Sequence, residues 1–137
     1  MKVSVVRDPA LKGVYNLVVT ISVMDVEEEK ELEDIYDRMC RESKELMEFS
    51  ESGIFTRYFG ASTLEAGETA IAGRIVYVPQ DAVVSGRKVP AMLEIIVKVP
   101  GGIDESYVAN TMKRLLPPKL FAKFVERCAE VGIPIRG

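Results

Sequence analysis

The residues best suited to recognition chemistry fall in one short run: Phe55, Arg57, Tyr58 and Phe59. An arginine interleaved with aromatic rings can stack on a nucleobase or another planar group. The same residue types also plug core edges and subunit interfaces. A second set is basic. Arg87 and Lys88 sit at the tip of an expected hairpin, and Lys113, Arg114 and Lys119 surround the break between two expected helices. Gathered on one face, these side chains would attract phosphates. Together the two sets define a candidate contact surface for RNA, single-stranded DNA or a planar ligand.

Other chemistry is excluded or thinly supported. The chain has no histidine, which removes Ser-His-Asp and Cys-His catalysis and every imidazole metal site. Its two cysteines, Cys40 and Cys128, are too few for a disulfide framework. Cys128 lies on an apolar helix stripe, and the acids Asp37 and Glu42 beside Cys40 would disfavour a thiolate. Gly101-Gly102 precedes an expected helix, but Asp104-Glu105 would repel a phosphate there, so the pair reads as a turn. Carboxylates can perform acid–base chemistry without histidine, yet no pair is set apart from the surface charge. The sequence therefore predicts no catalytic residue, no metal and no cofactor.

The elements that must position these residues fit in one domain, residues 1–137. The hydrophobic content is 47%, but no apolar run reaches the length of a membrane span. No secretory pattern follows Met1-Lys2, and reduced thiols suit a cytoplasmic protein. Glu is abundant while Gln80, Asn16 and Asn110 are the only side-chain amides, a composition typical of heat-adapted proteins. The net charge of −3 averages an acidic first half and a basic second half. The acidic balance argues against a duplex-DNA binder.

Val3–Val6 and Val14–Met24 read as strands, the second alternating with period two. Asp25 and Glu28 read as N-cap and capping-box partner of a long helix. Leu32, Ile35, Met39, Leu46 and Phe49 form its stripe, and Gly53 stops it. Residues 53–68 read as an aromatic/arginine loop or core plug. Thr69–Val78 and Val89–Val99 read as antiparallel strands joined by a hairpin with a basic tip at Ser85-Gly86-Arg87-Lys88. Two further helices follow, the first capped by Asp104 and the second entered through Pro118. Ile133-Pro134-Ile135 reads as a short edge strand.

The expected fold is α+β: a two-layer antiparallel sheet packed by a long helix and a C-terminal helix pair. Its element order resembles a split β-α-β unit, the ferredoxin-like arrangement. Val18, Val76, Val78, Met92 and Ile96 put apolar side chains on the second face of the strands. Either residues 53–68 cover that face, or subunits pack sheet against sheet. The leading expectation is a non-enzymatic, homo-oligomeric interaction or scaffold module. RNA or single-stranded DNA binding is the first alternative, and a small carboxylate-based enzyme is the second. No membrane partner is expected.

Overall fold

The structure is a computed structural model that describes residues 1–10, 12–42, 44–51, 53–63, 68–80, 82–100 and 105–133. The strands are β1 Lys2–Arg7, β2 Val14–Ser22, β3 Lys44–Glu51, β4 Ile54–Thr63, β5 Glu68–Val78, β6 Val83–Val84, β7 Arg87–Lys88 and β8 Met92–Pro100. The helices are α1 Lys30–Glu42, α2 Glu105–Leu115 and α3 Pro118–Glu130. Six strands form one sheet in the order β1-β2-β8-β5-β4-β3, and β6 and β7 form a separate two-stranded ribbon. The α+β class is as expected.

Every ladder of the large sheet is antiparallel, including that between β2 and β8. The strands that flank α1 in the chain, β2 and β3, are separated in the sheet by β8, β5 and β4. The alternation of β2 decides which face is buried. Leu17, Val19 and Ile21 are buried with Leu93, Ile95 and Val97 of β8 and Ile75 and Tyr77 of β5. All three helices pack on this side: Leu32, Ile35, Tyr36 and Met39 from α1, Val108 and Met112 from α2, and Leu120, Phe124 and Cys128 from α3 complete one core.

The long helix is corrected. α1 ends at Glu42, and Lys44–Glu51 is a strand paired with β4. Leu46 and Phe49 extend the helical spacing of Leu32–Met39, and Lys, Glu, Leu and Met favour helices. The ladder with β4 overrides both local signals, with Glu48 opposite Arg57 and Phe49 opposite Thr56. Gly53 is the turn residue of this β3–β4 hairpin, at φ +78°, rather than a helix stop.

The start of α1 also differs. Asp25 is the hub of a turn, accepting hydrogen bonds from the Ser22 N–H (2.9 Å), the Ser22 hydroxyl (3.2 Å) and the Met1 ammonium. Burial alone would raise its pKa, but these donors and the ammonium charge outweigh burial and hold it below 3.8. Glu31 Oε2 instead reaches back to the N–H groups of Glu27 and Glu28, at 2.7 and 3.1 Å, and serves the open end of the helix.

Pro118 opens α3 as expected, its missing N–H costing nothing in the first turn. The hairpin forms, but β8 begins at Met92 because Pro90 has no N–H to give a ladder. The expected Asp104 cap, the Gly101-Gly102 turn and the edge strand at Pro134-Ile135 lie outside the described residues. Among the described residues no helix is long and apolar enough to cross a membrane.

Candidate ligand cleft and interaction face

The aromatic/arginine run is a strand, not a loop, and period two divides it. Phe55 and Arg57 register opposite Tyr77 and Ile75, on the helix side of the sheet, whereas Tyr58 registers opposite Arg74 on the other side; Phe59 registers opposite Gly73. Phe55 extends an aromatic row on the core. Its ring centroid is 6.4 Å from that of Tyr77, which lies 5.8 Å from that of Tyr36. Arg57 Nη1 donates to the Cys40 carbonyl at 3.4 Å, serving one of the open carbonyls in the last turn of α1.

The basic residues are placed elsewhere. Arg87 and Lys88 form exposed β7, and Lys113 and Arg114 are exposed at the end of α2. Lys119, at the start of α3, pairs with Glu27 at 3.2 Å. At the base of the hairpin, the Gln80 N–H donates to Glu29 at 3.1 Å. The hairpin base and the start of α3 therefore both lie against the acidic Glu27–Glu31 segment. Acids are interleaved with the bases there, whereas Arg57 lies against Cys40, near the other end of α1.

Sequence reading missed a different constellation. On the face opposite the helices, cross-strand register aligns Val18, Ile96, Arg74 and Tyr58 in one row, with Asn16 opposite Lys98 in the next. The β1–β2 connection folds over this corner. Asp8, 6% exposed, accepts from the Ala10 N–H at 2.9 Å and pairs with Lys98 Nζ. Beneath Asp8–Ala10 lies a cleft of about 270 Å³ lined by Asn16, Tyr58, Gly73, Arg74, Ile96 and Lys98 as well.

Two side chains that line this cleft each carry a buried polar atom with no hydrogen-bond partner among the described residues: Asn16 Oδ1, an acceptor, and Arg74 Nε, a donor. Each such atom costs about 1–3 kcal/mol when left unpaired in a folded protein. The sequence signal was faint: Asn16 and Arg74 are two of several polar residues at outward positions, with Thr20, Ser22, Glu94 and Lys98. A larger cleft of about 340 Å³, lined by Val5, Leu17, Val99 and Val108 among others, has mainly aliphatic walls and little to orient a ligand.

The side chains with altered proton affinity do not resemble catalysts. Burial pushes the Cys128 thiol up to about 11. Burial, with the nearby charges of Glu33, Glu29 and Asp37, raises Tyr77. Both groups are thereby held in their protonated forms. Comparison with protein-family models, with curated proteins and with solved structures finds no match.

Proposed function

We propose that this chain is a self-associating interaction module whose open sheet face binds a second copy of itself. The observation that carries this reading is the diagonal apolar stripe Val6, Val18, Ile96, Val76 and Met92, on the side of the sheet away from the core. Val6 is 52% exposed and the others are half-buried. An apolar band across an open face is the usual mark of an interaction site.

Two features favour a second copy as the occupant. Residues 54–63 lie within the sheet as β4, so they do not fold over this face. The flanks of the stripe also differ in charge: Glu94 stands on one side, Arg74 and the Asp8–Lys98 pair on the other. A twofold axis along the stripe lays the Glu94 flank of each copy over the basic flank of its partner, an isologous contact.

Sedimentation velocity over a micromolar concentration series tests the reading. The chain is expected to sediment as a dimer, and Val76→Glu, outside the core, to give a folded monomer by circular dichroism. A wild-type chain that stays monomeric throughout would sink the proposal.

A further inference from the structure

We infer that the cleft beneath Asp8–Ala10 binds a small ligand carrying an oxyanion and a neighbouring hydroxyl or amino group, with the oxyanion on Arg74 and the donor on Asn16. This assignment stands apart from the sheet-face reading, because it rests on the cleft itself.

The chemistry follows from the two unpartnered atoms. Arg74 Nε is a charged donor with no acceptor among the described residues, and Asn16 Oδ1 is an acceptor with no donor. A guanidinium favours carboxylate or phosphate, whose paired oxygens match its planar fork. A carboxamide oxygen requires an O–H or N–H. The two residues stand two inter-strand steps apart and two residues apart along β8, roughly 12 Å between backbones, and side chains span part of that distance. One water cannot serve both atoms, whereas a ligand of a few heavy atoms can.

The rest of the cleft fits the same class. Lys98 is tied to Asp8, so its charge is offset within the cleft, while Arg74 keeps a buried Nε–H without an acceptor among the described residues. Ile96 supplies an apolar wall and Tyr58 an aromatic one with a hydroxyl. The volume, about 270 Å³, is just below the range that holds drug-sized ligands and suits a small metabolite.

The test is an NMR titration of the full-length chain with acetate, glycolate, inorganic phosphate and glycerol 3-phosphate, reading the Arg74 Nε–H resonance and the Asn16 amide. A hydroxylated probe should bind about tenfold more tightly than its plain counterpart, the effect of one added hydrogen bond to a buried acceptor. Preference for glycolate assigns a carboxylate ligand, and preference for glycerol 3-phosphate a phosphate monoester. Asn16→Val should erase the preference, and Arg74→Gln should weaken every probe by at least about tenfold.

Absence of saturable shifts with all four probes overturns the assignment without need of a variant. So does equal affinity of hydroxylated and plain probes, or an Arg74→Gln chain that self-associates less but binds the probes unchanged. Val76 lines none of the cleft. The Val76→Glu chain should therefore keep probe binding whether or not the wild type dimerises, and loss of binding there would also overturn the proposal.

Discussion

The two cysteines show how far residue type alone carries a reading. Cys128 was legible as a core residue from its helical spacing, and it is fully buried beside Phe124. Burial holds its pKa near 11 against an ordinary 9.0. A group whose pKa is higher in the fold keeps its proton longer there, so its contribution to stability is complete below about pH 9. That contribution is lost as pH rises through about 11. Urea unfolding of the wild type and Cys128→Ala across this window should show a steeper fall for the wild type. Tyr77 is present in both chains and cancels from the difference. The variant itself should lose about 1 kcal/mol at neutral pH from the vacated volume. Identical pH slopes would mean that burial does not hold the proton. The cleft, by contrast, was not legible at this scale. Nothing in the neighbours of Asn16 or Arg74 along the chain shows that a residue on β2 and one on β5 line the same space, because only the pairing of both with β8 makes them neighbours.

At the scale of the element, the signals that succeeded were those fixed by local backbone geometry. Ser85-Gly86 marks a two-residue hairpin loop, and both residues have positive φ, 54° and 78°, as a type I′ turn requires. The signals that failed were competitions with partners far along the chain: Lys44–Glu51 has helix-forming residues but a strand to pair with. The Phe55–Phe59 run looked like a single cluster until the pleat put Tyr58 on the opposite face. The hairpin yields a prediction of its own. A Cβ on Gly86 would meet nothing within 4 Å, so Gly86→Ala acts through backbone strain alone and should cost the ribbon about 1 kcal/mol. Ser85→Asn should stabilise it by a few tenths of a kcal/mol, since Asn adopts positive φ more readily. The ribbon is a small satellite of the main sheet, so these changes should appear as local opening rather than in global unfolding. The reporter is the Val89 N–H, bonded to the Ala82 carbonyl at 3.2 Å. Its hydrogen exchange should quicken in Gly86→Ala and slow in Ser85→Asn; no change in either would contradict the turn assignment.

At the scale of the whole molecule, the fold class and the surplus of apolar outward positions were legible, whereas the strand order was not. That order leaves β1 and β3 as edges, and β1, with Val5 and Val6 40% and 52% exposed, has a line of backbone groups unpaired by any other described strand. Self-association through this edge would compete with association through the proposed face, and the charges at the ends of β1 oppose it. A symmetric antiparallel β1–β1 contact centred on Ser4 sets Lys2 of each copy opposite Val6 of the other, one residue from Arg7. Like charges gathered at the ends of the paired strands repel, and lysine on an edge disfavours pairing, so the edge is guarded. Reversing one sign should remove the guard. Lys2→Glu turns the two repulsive end contacts into attractive ones, worth roughly 1 kcal/mol in total and about fivefold in dimerisation. Made in the Val76→Glu background, where the face is already blocked, it should restore association that weakens as salt is raised. If this double variant stays monomeric at low salt, the end charges are not what keeps β1 unpaired. If the single Lys2→Glu chain forms open-ended aggregates, face and edge are working at once, which is the outcome expected when two independent twofold contacts exist on one subunit.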